Sequence, residues 1–132
     1  MHILTPSLVL TAVLSFAGVA SAADVGCRPH GAVTWITHFR DLPPPIAQNL
    51  FDRLHEMADV GGPFNETDVI DVNHPLPQHR LVVAARAGRT TVVWYEYGGF
   101  VSGTNAAVYD ETRFVEDVQA YRGCAALDRA KR

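Results

Sequence analysis

The chain has 132 residues, with 14 acidic and 11 basic side chains and a formal net charge of −3. This near balance excludes the basic surface of a nucleic-acid-binding domain and a patch for anionic membranes. A chain of this length forms one domain that folds alone with a small margin of stability.

The first 22 residues have the pattern of a cleavable signal peptide. Residues 3–20 carry no charged side chain, and their apolar run ends in Ala20-Ser21-Ala22. Signal peptidase accepts small residues in this A-x-A arrangement, whereas an uncleaved membrane anchor needs roughly 20 apolar residues. We therefore expect residues 1–22 to be removed. The segment 23–132 is then a single exported domain, periplasmic or secreted and without membrane attachment.

Cys27 and Cys124 are the two cysteines of the sequence. Acylation of Cys27 is disfavoured because Asp24 stands where a lipoprotein signal has an aliphatic residue. No C-x-x-C motif supports a redox or metal-binding thiol. In an oxidising compartment an even pair of cysteines predicts a disulfide, which over this loop length would stabilise the fold by about 4–5 kcal/mol in the entropic model.

The first half of the domain predicts a strand, a helix and a loop. Alternating β-branched and aromatic residues predict a short strand over Ala32–Phe39. Apolar residues at helical spacing then predict a helix over residues 45–59, with Gly61-Gly62 ending it. Turn-forming residues fill the segment 63–79, so we expect a long ordered loop there, with a brief strand at Val69-Ile70.

The second half predicts a β-meander. Residues 81–85 and 91–97 are the clearest strands, joined by a tight turn. A return strand begins at Phe100 and resumes over residues 106–109. Phe114, Val118 and Tyr121 recur at helical spacing and predict a second helix capped by Thr112. The expected fold class is α+β, a small antiparallel meander packed by one or two helices.

Histidine and carboxylate side chains provide candidate chemistry without a complete motif. His55-Glu56 begins like the zinc-protease motif H-E-x-x-H, but Asp59 replaces the second histidine. His74 and His79 have a ligand-like gap that contains two prolines. Acidic residues between positions 66 and 71 lack the alternating pattern and glycine of a calcium loop. We therefore predict no catalytic residue, metal site or cofactor.

The most informative segment is the aromatic hairpin end. Strand alternation places Tyr95 and Tyr97 on one face and Glu96 on the other, with Phe100 following the turn. Exposed aromatic side chains at such a position are typical anchors for a partner, so we predict that Tyr95, Glu96, Tyr97 and Phe100 form a binding site. The alternative is that both faces of the strand are packed as core. Truncation of the tyrosines to alanine separates the two cases, because core rings would lower the melting temperature strongly.

Three functions agree with these features. We favour a small non-catalytic binding protein of the cell envelope, inhibitor-like or immunity-like, with a protein partner. The alternatives are a structural or stress-related envelope protein without a defined site, and a small metal-dependent hydrolase that uses histidines. An exposed aromatic patch would favour the first, a polar surface the second, and a cleft joining two histidines to a carboxylate the third.

The signal-peptide pattern of residues 1–22 leads to the first testable prediction. Because Ala20-Ser21-Ala22 forms the cleavage pattern, the exported protein should begin at Ala23. Intact-mass spectrometry of the exported fraction measures this terminus. A purified exported chain that still begins at Met1 would contradict it.

Overall fold

A computed structural model describes residues 25–130, so the predicted leader and its cleavage site lie outside the described residues. The described chain is an α+β fold, as the sequence predicts. Its elements, in chain order, are β1 (Thr34–Ile36), α1 (Pro44–Leu54), β2 (Met57–Ala58), β3 (His79–Ala87), β4 (Thr90–Tyr97), β5 (Gly103–Asp110), β6 (Arg113–Gln119) and α2 (Gly123–Arg129).

The strands form one sheet whose order is β1-β3-β4-β5-β6. Strands β3 to β6 pair antiparallel with their neighbours in sequence, which makes the predicted meander. Strand β1 lies antiparallel on the outer side of β3, and the two-residue β2 pairs parallel with the beginning of the same strand. The meander therefore brings the end of β4 to the same end of the sheet as the beginnings of β3 and β5, and β2 begins beside β3 there.

Both faces of the sheet are buried, each beneath one helix. Helix α1 covers one face with Ile46 and Leu50, which pack in a cluster that includes Val93 and Tyr95 of β4. Helix α2 covers the other face, and its Leu127 packs in the cluster that holds Trp94. Burial of these side chains on both faces removes a large apolar area from water and is the main stabilising contribution to the fold.

The predicted disulfide is confirmed. Cys27 and Cys124 are bonded, with their Cα atoms 6.0 Å apart. The bond attaches the segment before β1 to helix α2 and lies beside the Trp94 cluster. Because it closes a loop of 97 residues, it restricts the unfolded chain far more than a local cross-link would.

Helix α1 is shorter than the sequence predicts. The expected helix runs to residue 59, but α1 ends at Leu54, because the next residue, His55, has a φ of +62°. Met57 and Ala58 then pair with β3 as β2. The edge of β3 offers these two residues backbone hydrogen bonds, and Met57 still packs against the α1 cluster. The helical periodicity of the sequence does not show that the edge of β3 competes with the helix for these residues.

The predicted second helix from Thr112 to Tyr121 is wrong. Residues 113–119 form β6, and the helix lies further along the chain as α2. A β-bulge explains the error: Val115 is skipped in the pairing of β6 with β5. The extra residue reverses the alternation, so Phe114 packs beneath α1 while Val118 packs on the α2 face. Phe114 and Val118 are four residues apart, as on one face of a helix, but here they lie on opposite faces of a strand.

The return strand is also displaced. Strand β5 is continuous from Gly103 to Asp110, whereas residues 100–102 belong to the loop before it. Strand β1 is reduced to Thr34–Ile36 of the predicted Ala32–Phe39. The predicted loop over residues 63–79 is present up to the start of β3, and no strand forms at Val69-Ile70.

Candidate functional site

The four residues of the predicted binding site do not lie on one surface. Tyr95 is 3% exposed and belongs to the core beneath α1. Glu96 and Tyr97 are half-buried, and Phe100 is 92% exposed on the loop that follows β4. Tyr95 therefore has no free ring to offer a partner, and the surface part of the predicted site is Tyr97, Phe100 and Glu96.

The Tyr95 side chain is held by a contact of its ring and by a hydrogen bond of its hydroxyl. The ring packs edge-on against His79 at a centroid distance of 5.8 Å. The hydroxyl donates to the Asp117 carboxylate at 3.1 Å. Burial, together with the negative charge of Asp117, raises the pKa of Tyr95 to about 12. A neutral, hydrogen-bonded phenol in this position has a structural role.

Asp117 also connects the sheet to helix α1. It forms an ion pair with Arg53, whose guanidinium lies 3.6 Å from the centre of the Phe114 ring. One turn earlier on the helix, the Asn49 side chain accepts a hydrogen bond from the hydroxyl of Tyr109 at 2.8 Å. Burial raises the pKa of Tyr109 to about 12. These contacts orient α1 on the sheet, so the polar groups beneath it are part of the scaffold.

Two loops, residues 63–78 and 98–102, meet at one end of the sheet, and we call them the loop end. The N–H of Gly98 donates to the carbonyl of Gln78 at 3.0 Å. The two backbones approach so closely that a Cβ at Gly98 would collide with the carbonyl oxygen of Asn65. Glycine is therefore required at this contact, which fixes one loop against the other.

Asn65 organises the longer loop. Its backbone N–H donates to the Pro77 carbonyl at 2.7 Å, which closes the base of the loop. Its side-chain amide donates to the carbonyl of Val69 at 2.9 Å, and its side-chain oxygen accepts from the N–H of Thr67 at 3.0 Å. A loop held by these bonds loses less conformational entropy when a partner binds.

Large apolar side chains project from both loops. They are between 64% and 92% exposed, and they are Val69, Ile70, Val72, Phe100 and Val101. Such a concentration on two adjoining loops is unusual for a small domain, in which exposed apolar residues are normally scattered. Of these five residues the sequence prediction included Phe100 alone. The signal for the others was present as apolar residues within a turn-rich segment that has no strand or helix period.

The loop end also carries the net negative charge of the protein. Its two loops contain Glu66, Asp68 and Asp71 and no lysine or arginine. The rest of the chain has 11 acidic and 11 basic residues, so the formal charge of −3 resides in these loops. The surface that exposes the apolar side chains is therefore also the negatively charged surface.

A cleft between the end of α1 and the last residues of the longer loop contains two of the candidate histidines. It has a volume of about 410 Å³, and its walls are Leu54, His55, Glu56, Leu76, Pro77, Gln78 and His79. The Nδ1 atom of His79 is buried without a hydrogen-bond partner among the described residues. Burial lowers the pKa of His79, against a smaller opposite effect of the Leu54 carbonyl. His55 and Glu56 are exposed on the rim.

The other candidate histidines are dispersed. His30 contacts Asp128, and His38 lies near Asp59, on different parts of the surface. His74 lies 3.3 Å from Asp71 within the longer loop. Within residues 25–130, no three histidine, cysteine or acidic side chains are grouped to hold a metal ion.

Comparisons with known proteins found no matching family model, no matching curated protein and no matching solved structure. In the part of the chain that the structure describes, no helix is long and apolar enough to cross a membrane. The arguments about function therefore depend on the loop end and the cleft themselves.

The different positions of Tyr95 and Phe100 give a stability prediction. Tyr95→Ala should lower the free energy of unfolding by about 3–5 kcal/mol, as other buried aromatic truncations do. Phe100→Ala should change it by less than about 0.5 kcal/mol, because the ring is exposed. Urea unfolding of the two variants measures the difference. Equal destabilisation by both changes would contradict the placement of these rings.

His79 gives a prediction for acidic pH. Its folded-state pKa lies below the ordinary value of 6.5, so below pH 6.5 the unfolded chain binds the proton more readily than the folded chain. The free energy of unfolding should therefore fall as the pH drops through this range, and His79→Gln should make the fall shallower. NMR titration of the imidazole measures the pKa directly, with the urea-unfolded chain as reference. A folded-state value at or above that reference would refute the assignment.

Proposed function

We propose that the mature protein is an exported, non-catalytic binding protein of the cell envelope, and that its loop end docks into a cleft of a protein partner. The observation that carries the proposal is the set of five strongly exposed apolar side chains on two loops that are joined by backbone hydrogen bonds. Projecting loops held in one conformation suit an inhibitor-like or immunity-like protein, since little ordering cost opposes binding.

Export is supported by two independent features. The sequence before Ala23 has the signal-peptide pattern, and the Cys27–Cys124 disulfide is typical of proteins that mature in an oxidising compartment. We therefore place the protein in the periplasm or the extracellular medium. The partner is expected to be a protein of the same compartment.

The two alternatives receive less support. A structural envelope protein without a defined site would present a polar surface throughout, whereas the loop end is strongly apolar. The histidine cleft favours a hydrolase, because it joins His55, Glu56 and His79. However, no hydrogen bond connects these three side chains within the described residues, and they are not grouped closely enough there to hold a metal ion.

Affinity capture from an envelope extract tests the proposal. The mature domain is immobilised, bound proteins are identified by mass spectrometry, and the affinity of a retained partner is measured. Phe100→Ala should weaken that affinity about 30-fold, which corresponds to the roughly 2 kcal/mol of a binding hot spot. Phe51→Ala is the matched control, since Phe51 is a 54% exposed ring on α1, outside the loop end.

The proposal is contradicted if Phe100→Ala and the Phe51→Ala control bind every retained protein as tightly as the unmodified domain does. Greater weakening by Phe51→Ala than by Phe100→Ala would move the binding surface to helix α1. Both variants must first have the unfolding free energy expected of exposed substitutions.

A further inference from the structure

A cavity of about 250 Å³ opens at the base of the loop end. Both loops and the adjoining ends of β4 and β5 contribute to it. Its walls are Phe64, Glu66, Glu96, Tyr97, Ser102, Gly103 and Thr104. It thus combines two aromatic rings, two carboxylates and three hydroxyl groups around a space large enough for one long side chain.

Two residues of the cavity wall, Phe64 and Glu96, already hold a guanidinium group of the protein itself. The Arg80 guanidinium lies 4.3 Å from the centre of the Phe64 ring. The Arg80 Nε donates to the Glu96 carboxylate at 2.7 Å. A cation stacked on an aromatic ring and paired with a carboxylate is a favourable combination, especially for the planar guanidinium.

The cavity wall also contains a second aromatic ring, Tyr97, and a second carboxylate, Glu66. Tyr97 lies opposite Gly103 in the β4–β5 pairing, and a Cβ at Gly103 would be 2.7 Å from the Tyr97 hydroxyl oxygen. The absence of a side chain at Gly103 therefore leaves room for the ring. Within residues 25–130 no basic side chain forms an ion pair with Glu66. With Arg80 counted, the two glutamates leave a formal charge of −1 at the cavity.

We infer that this cavity receives an arginine side chain of the partner protein, which stacks on Tyr97 and pairs with Glu66. The inference rests on the proposed function and names the chemistry by which the loop end recognises its partner. The charge of the two loops favours a positively charged cleft on that partner, because complementary potentials increase the rate of association. Arginine suits the site better than lysine, since its fork can bind a carboxylate with two hydrogen bonds.

NMR titration tests the inference without a known partner. The isotope-labelled mature domain is titrated with N-acetyl-arginine methylamide, and with the neutral isostere N-acetyl-citrulline methylamide as control. The arginine compound should produce saturable shifts at the amides of Glu66, Tyr97 and Thr104, and the citrulline compound should not. Glu66→Gln should weaken binding about two- to fivefold, as expected for removal of one exposed ion-pair partner.

Asp68→Asn provides the matched control, because Asp68 is an exposed carboxylate of the same loop that does not line the cavity. It should leave the dissociation constant within error of the unmodified domain. Equal effects of Glu66→Gln and Asp68→Asn would overturn the inference, as would shifts that do not saturate or that the citrulline compound reproduces. A negative titration alongside Phe100-dependent capture would refute the arginine site alone, and the proposed function would stand.

Discussion

Burial of strand β4 on both faces is the constraint on which the rest of the fold depends. Val93 and Tyr95 point beneath α1, while Val92 and Trp94 point toward α2. A strand of this kind needs a cover on each side, so neither helix is dispensable. The Trp94 indole also donates to the carbonyl of Ala120 at 2.9 Å, which fixes the chain just before α2. The disulfide then attaches the segment before β1 to the same layer.

This arrangement separates the scaffold from the surface that we propose binds a partner. Tyr95 and the ion pair of Arg53 with Asp117 lie beneath α1 and hold the helix to the sheet. Phe100 lies only five residues beyond Tyr95 in the sequence, yet it is almost fully exposed. The chain leaves the sheet between these residues, because β4 ends at Tyr97 and the backbone of Gly98 lies against the longer loop. Substitutions at the loop tips should therefore alter binding at little cost to stability.

The loop end also makes the charge distribution of the molecule asymmetric. A formal charge of −3 that is confined to two loops produces a stronger local field than the same charge spread over the surface. The apolar side chains between these carboxylates would contribute affinity through burial, whereas the charges would guide the approach and select the partner. The recognition that we propose for the loop end thus combines an apolar contact with a preference for a positively charged cleft.

The sequence by itself determined the features that depend on local pattern or on residue type. The disulfide followed from two cysteines, and the strands β3 and β4 followed from their β-branched and aromatic runs. The packing of aromatic residues on both faces of β4 was one of two alternatives that strand alternation left open. The tertiary structure decided between them by placing a helix on each face.

Only the tertiary structure determined the end of α1, the identity of β6 and the shape of the loop end. Met57 leaves the helix because the edge of β3 is available to it, and Phe114 and Val118 lie on opposite faces because Val115 bulges out of the pairing. Such outcomes depend on neighbours distant in sequence, which a local period does not record. Val69 and Phe100 are likewise distant in sequence, and backbone hydrogen bonds between their loops hold them at the same end of the sheet.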